Sequence, residues 1–187
     1  KEAQHTKNGN NALAKKHNRK IMVRLVKGAY CDSEIKHSQV QGLTSFPVFT
    51  RKEASDVSYI ANARKLLQMN DFIYPQFATH NAHSISAILH MAQKTPNCRF
   101  EFQRLHGMGE AVHDIVAKKF KTKCRIYAPV GPHKDLLAYL VRRLLENGAN
   151  SSFVNQIADP NIPSAKIAAC PFKQLASGTS QKIINGT

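Results

Sequence analysis

The sequence predicts an α/β protein built on a parallel sheet, and three observations carry that expectation. Strand-like runs alternate with helix-length segments, the later strands starting at Tyr74, Arg99 and Arg125, about 25 residues apart. Ahead of them, Ile21 to Val26 (IMVRLV) holds five apolar residues in six positions, the pattern of a strand covered on both faces. Polar residues then collect just past the strand ends, as Lys27-Gly28-Ala29-Tyr30, Thr79-His80-Asn81 and Leu105-His106-Gly107. Strands and helices alternating at this spacing give a parallel sheet with right-handed crossovers, either doubly wound or closed as a barrel. In barrel enzymes the carboxyl ends of the strands carry the active site. Four βα units can be counted, whereas a closed barrel needs eight.

Taken in order, residues 1–20 begin polar and Asn-rich and turn into a short basic helix from Asn11 to His17. The opening strand follows, then a long connection over 31–52 that contains FPVFTRK at 46–52. A helix is predicted from about Glu53 to Met69, with Val57, Ile60, Ala61, Leu66 and Leu67 as its apolar positions. Tyr74 to Thr79 reads as a strand, and Ala82 to Gln93 as a helix that buries Ile85, Ile88, Leu89 and Met91. Arg99 to Leu105 alternates as a strand and Gly109 to Phe120 follows as a helix. Arg125 to Val130 is the last strand, and His133 to Asn147 the last helix, stopped at Gly148.

Arg24 is the residue least expected in such a strand. Burying a guanidinium without a partner costs several kcal/mol, so an anionic ligand or a carboxylate of the chain itself should lie within its reach. Gly28, just past the strand, lets backbone approach a ligand closely. In the last helix, Leu136, Leu137, Leu140, Val141, Leu144 and Leu145 form a wide apolar face, while Tyr139, Arg142, Arg143 and Glu146 share the opposite one. Two readings of that polar stripe stay open. It is a solvated face on which an arginine pairs with Glu146 for a few tenths of a kcal/mol; or its adjacent guanidiniums grip a carboxylate, each charged hydrogen bond contributing ~1.5 to 3 kcal/mol.

Composition narrows the classes. Twenty-seven Lys and Arg against 12 Asp and Glu give a net charge of +15, yet outside Lys15 to Lys20 and Lys118 to Lys123 the cations are scattered through apolar segments. No nucleic-acid-binding pattern accompanies them, so nucleic acid is not expected as a partner of this segment. Cys31, Cys98, Cys124 and Cys170 form no CxxC pair, which argues against a zinc site or redox dithiol and suits a reducing cytosol. His80 and His83 have no third ligand nearby in sequence, so no metal is expected. A GxGxxG turn, a GxSxG elbow and a P-loop are all missing from the sequence.

Five blocks together resemble one family. RLVKGAY at 24–30, FPVFTRK at 46–52, YPQFATHNAH at 74–83, FEFQRLHGMGE at 100–110 and YAPVGPHKDLLAYLVRRLLENGANSSFVN at 127–155 look like the proline dehydrogenase domain of the bacterial bifunctional proline utilization A proteins. That family folds as a distorted (β/α)8 TIM-type barrel holding FAD. It oxidises L-proline to pyrroline carboxylate, with hydride transfer to the flavin and electrons passing on to a membrane quinone. The resemblance implies that this chain is the carboxyl-terminal half of such a barrel, strands five to eight and the final helix. Residues 1–20 are then the end of a truncated βα unit, 21–157 the half-barrel, and 158–187 a linker or tail. The family's first four strands have no counterpart here, so the implied partner is the missing amino-terminal half-barrel or another copy of the chain. The implied location is the cytoplasm, or the periphery of the inner membrane.

Position by position, Arg24 resembles the arginine beside the reactive edge of the flavin, a charge that would tune the cofactor. Val26, Gly28, Ala29 and Tyr30 resemble the segment against the isoalloxazine, and Tyr30 also borders the substrate. Thr50, Arg51 and Lys52 correspond to the loop holding adenosine and phosphates, together with Thr79, His80 and Asn81. Gln103 and Leu105 match contacts of the seventh strand, Leu105 facing the substrate; Glu146, Ser152 and Phe153 match further flavin contacts. Arg142 and Arg143 fall on the family's pair of carboxylate-binding arginines, which reverses the solvated reading of their stripe. Tyr139 and Tyr127 correspond to residues enclosing the proline ring. Cys31 departs from the pattern, standing where the family usually has tryptophan, and this loosens the expected flavin packing. Two classes of function follow: an enzyme module active as part of a complete barrel, or a non-catalytic remnant that binds flavin or acts only as a basic interaction surface.

Overall fold

The computed structural model describes residues 2–28, 31–148 and 159–177. Helix α1 (Glu2–Lys16) leads into β1 (Ile21–Val26), followed by α2 (Cys31–Val40), α3 (Lys52–Gln68), β2 (Ile73–Ala78) and α4 (Ala82–Gln93). Then come β3 (Glu101–Leu105), α5 (Glu110–Phe120), β4 (Lys123–Tyr127) and α6 (His133–Gly148), with short helices α7 (Ser164–Ile167) and α8 (Pro171–Ala176) after them.

All strand pairs are parallel and the sheet order is β1-β2-β3-β4. A doubly wound sheet reverses its order partway and takes helices on both faces. Among the described residues the order does not reverse, and the helices of the core cluster, α3, α4 and α5, pack on one face. One face carries Ile21, Val23, Leu25, Ile73, Phe77, Phe102 and Cys124, packed against Tyr59, Ala63, Leu66 and Leu67 of α3, Ile85, Ile88 and Leu89 of α4, and Val116 of α5. Phe100 meets Phe77 and Phe102 edge-on at ring-centroid distances of 5.7 and 5.4 Å, contacts that add ~0.5 to 1.5 kcal/mol each beyond burial. Helix α8 lies against α3 with Pro171 buried. No helix among the described residues is long and apolar enough to cross a membrane.

Four expectations need correction. β1 is covered on one face only: Ile21, Val23 and Leu25 pack inward, while Met22, Arg24 and Val26 are exposed, because the core helices α3, α4 and α5 pack on the other side. The 31–52 connection contains α2, whose signal was weak because only Ile35 and Ser38 are buried; Asp32 and Glu34 in its first turn suit the positive end of a helix. α1 begins at Glu2 rather than near Asn11, in a run without an apolar stripe, with Ala14 as its buried anchor. The last two strands are also shifted. Asn97, at φ 52°, still turns the chain before β3, so that strand starts at Glu101. Lys121, at φ 55°, ends α5 so abruptly that β4 starts at Lys123 and finishes at Tyr127.

Candidate active site

Since side chains alternate along a strand, the face of the sheet away from the helices receives Arg24 and Val26 from β1, Tyr74 and Gln76 from β2, Glu101 and Gln103 from β3, and Arg125 and Tyr127 from β4. The register sets Gln76 beside Glu101, and Gln103 beside Arg125. Glu101 is only 3% exposed and is the centre of the network. Its Oε1 accepts from Gln76 Nε2 at 2.8 Å, Gln103 Nε2 at 3.1 Å and Arg125 Nε at 2.6 Å. Its Oε2 accepts from Arg125 Nη2 at 3.0 Å and from the Tyr74 hydroxyl at 3.4 Å. The Arg125 hydrogen bonds, helped by those of Gln103 and Gln76 and opposed by burial, bring its pKa down to about 2. Arg24 Nε donates to Gln103 Oε1 at 2.8 Å, and its guanidinium lies 5.0 Å from the centre of the Tyr127 ring. The expected carboxylate partner of Arg24 is thus reached only at second hand, through the Gln103 amide.

The turn after β2 is held from both sides. The Asn81 amide donates to Thr79 Oγ1 at 3.1 Å, and Asn81 Oδ1 caps α4 by accepting from the Ser84 amide at 2.9 Å. His80 Nε2 accepts from the Leu105 amide at 3.1 Å, so the neutral ring carries its proton on Nδ1. Burial above all, then the electrostatic influence of His113, Arg143 and Arg104, pushes its pKa from 6.5 to about 4. From α5, the buried His113 places Nε2 2.9 Å from the Thr79 carbonyl, and burial lowers its pKa too. Gly109 completes the pin. It sits at φ 66°, and a Cβ there would stand 2.9 Å from His80 Cδ2.

At the carboxyl end of β1, Lys27 Nζ lies 2.6 Å from Asp56 Oδ1, and Lys52 joins the same carboxylate at 3.6 Å. Thr50, Arg51 and Lys52 therefore enter α3 beside the end of β1. On α6 the arrangement inverts the face predicted for solvent. Tyr139, Arg142 and Arg143 are partly buried, whereas Leu137, Leu140 and Val141 are exposed by 52, 40 and 43%. The Arg143 guanidinium lies 5.1 Å from the Tyr139 ring centre, and Arg142 Nη2 reaches Asp32 Oδ2 of α2 at 3.9 Å.

Of the residues singled out in the sequence, Arg24, Gln103 and Tyr127 are brought into direct contact, and Thr79, His80, Asn81 and Leu105 into a second connected group. Val26 stands on the open face at 47% exposure, and a Cβ at Gly28 would meet nothing within 4 Å. Ala29, Tyr30, Ser152 and Phe153 lie outside the described residues, as does the side chain of Glu146. Glu101, Arg125, Gln76 and His113 were not anticipated. The alternation in RFEFQRL does place Glu101 on the face of Gln103, and that was the available signal.

Fold and site define a class, a parallel α/β enzyme domain whose polar sheet face and strand carboxyl ends carry the candidate site. The family model of proline dehydrogenase matches residues 1–156, and the chain belongs to that oxidoreductase family. The bifunctional protein PutA of Salmonella typhimurium is 54% identical over 176 residues, covering 91% of this chain and 13% of that protein. A crystal structure of a Bradyrhizobium japonicum proline utilization A mutant superposes with a TM-score of 0.82 at 56% identity, covering 89% of this chain and 17% of that one. Proline utilization A from Bdellovibrio bacteriovorus, inactivated by N-propargylglycine, gives a TM-score of 0.80 at 36% identity over 95% of this chain and 18% of that one. The chain thus spans less than a fifth of the length of each of these relatives.

Proposed function

We propose that this chain is the carboxyl-terminal half of a (β/α)8 barrel, with residues 21–157 as its body, and that the completed barrel oxidises L-proline to pyrroline carboxylate with FAD as cofactor and a quinone as final acceptor. The observation that carries the reading is the Arg24–Gln103 pair on the open sheet face of a chain matched by the proline dehydrogenase family. The residues present fit a flavin dinucleotide. They offer a guanidinium presented by a strand and held by a neutral amide, cations Arg51 and Lys52 near the end of β1, and a rigid Thr79–Asn81 turn at the start of α4, whose amino-terminal end favours phosphate. When bound, FAD supplies the two-electron acceptor for the hydride leaving the carbon beside the proline nitrogen.

The protein's part is binding and orientation. Arg142 and Arg143 anchor the substrate carboxylate, a role that requires Arg142 to share or leave its long contact with Asp32. Tyr139, Tyr127, Leu105 and Tyr30 enclose the ring, and holding the reacting carbon in place lowers the entropic part of the barrier. Arg24 keeps a fixed positive charge where the accepted electrons would place negative charge. By the family resemblance Val26, Gly28 and Ala29 would line the cofactor, with Glu146, Ser152 and Phe153 as further contacts. The working protein lies in the cytoplasm or at the inner membrane periphery, where the quinone is reached.

The test is to co-express the chain with the first four βα units of a proline utilization A relative, record the visible spectrum, and add L-proline with a quinone. A yellow complex that bleaches with proline and reduces the quinone is expected. A complex that assembles yet stays colourless, even with added FAD, overturns the reading.

A further inference from the structure

We propose that Glu101 is a positioning residue for Arg24, acting through the side-chain amide of Gln103. An ionised carboxylate only accepts hydrogen bonds, so Glu101 compels Gln103 to present its NH2 to it, at 3.1 Å. The carbonyl oxygen of the same amide then faces the other way, towards Arg24 Nε, at 2.8 Å. Reversing the amide would set two acceptors together at Glu101 and two donors together at Arg24, so the charge at 101 fixes the direction of the whole chain of bonds. Glu101 is itself held rigidly, by the two-pronged contact from Arg125 and by Gln76. Arg104 with Glu110, at 3.1 Å, is an ion pair on the opposite side of the same strand. A glutamine at position 101 could turn its own NH2 towards Gln103 and let that amide flip, releasing Arg24 without removing volume.

The functional meaning of Arg24 rests on the reading given above, but the test needs no flavin. In the full chain labelled with 15N, the Arg24 Nε–H signal is assigned by its loss in Arg24→Lys, and its exchange with water is measured together with the thermal midpoint. Glu101→Gln is expected to speed that exchange tenfold or more, Gln103→Leu to do the same, and the double variant to add nothing further. Arg125→Gln, which weakens the same carboxylate's anchoring but keeps the Glu101–Gln103 contact, is expected to lower the midpoint while leaving Arg24 exchange within twofold of the parent. Unchanged Arg24 exchange in Glu101→Gln overturns the proposal, and so does an equal acceleration in Arg125→Gln, which would mark a general loosening of the sheet. If Glu101→Gln does not fold, Glu101→Asp keeps the charge and withdraws it from Gln103 by one methylene; faster exchange there supports the proposal and unchanged exchange overturns it. A colourless complex in the flavin experiment leaves each of these outcomes readable.

Discussion

A carboxylate with as many donors as Glu101 makes stability depend on acid in a definite direction. Its pKa falls from 4.5 to about 2 on folding, so between those values the unfolded chain binds more protons, and stability rises with pH. The contribution is complete above about pH 4.5 and is lost as pH falls towards 2. Urea midpoints should therefore drop more steeply over that window in the parent than in Glu101→Gln. His80 acts in a higher window: with its pKa lowered from 6.5 to about 4, its contribution is present above pH 6.5 and lost towards pH 4, and an NMR titration should find its ring neutral at pH 5. Gly109→Ala tests the pin beneath that ring. Gly42 is also left-handed, at φ 64°, but a Cβ there meets nothing, so Gly42→Ala should cost about 1 kcal/mol in thermal unfolding. Gly109→Ala should cost clearly more, since strain is joined by the His80 contact. Arg24 was conspicuous in the sequence as a cation in an apolar strand, though the burial read into it fails because it lies on the open face. His113 was not, because nothing in an amphipathic helix distinguishes a histidine that turns inward to a carbonyl.

Elements were legible where hydrophobic periodicity matched the covered face. α4 buries Ile85, Ile88 and Leu89 and partly covers Met91, α3 buries Ile60, Leu66 and Leu67 but leaves Ala61 exposed, and Phe77 and Phe102 at the sheet centre are fully buried. Phe102→Ala should accordingly cost ~3 to 5 kcal/mol in denaturant unfolding, with the secondary structure retained in far-ultraviolet circular dichroism. The same logic misled for β1 and α6. A row of aliphatic residues shows that burial is available, but the side on which neighbours lie is decided by chain topology. Leu140 lies on a wide apolar stripe and is 40% exposed, whereas Leu67 of α3 is 1% exposed. Leu140→Ala should thus cost well under 1 kcal/mol in the isolated chain, and Leu67→Ala ~2 to 5 kcal/mol. A comparable cost for the two would show that α6 lays its leucines inward in solution.

For the molecule as a whole, a parallel sheet whose core helices α3, α4 and α5 lie on one face leaves, among the described residues, two strand edges and one broad polar face, and unpaired edges template association. Sedimentation of the isolated chain should show mass rising with concentration, and co-expression with the complementary βα units should suppress it. The order β1-β2-β3-β4 also carries a consequence for synthesis. Among the described residues each strand pairs with its neighbours in sequence, so these pairs need no partner from far along the chain, and this part of the sheet can extend as it is made. The waiting time is nonetheless uneven. β2, β3 and β4 follow one another with a single helix between, while β1 must pass both α2 and α3 before β2 appears. Among these strand pairs, then, the one that includes the strand carrying Arg24 closes the longest stretch of chain.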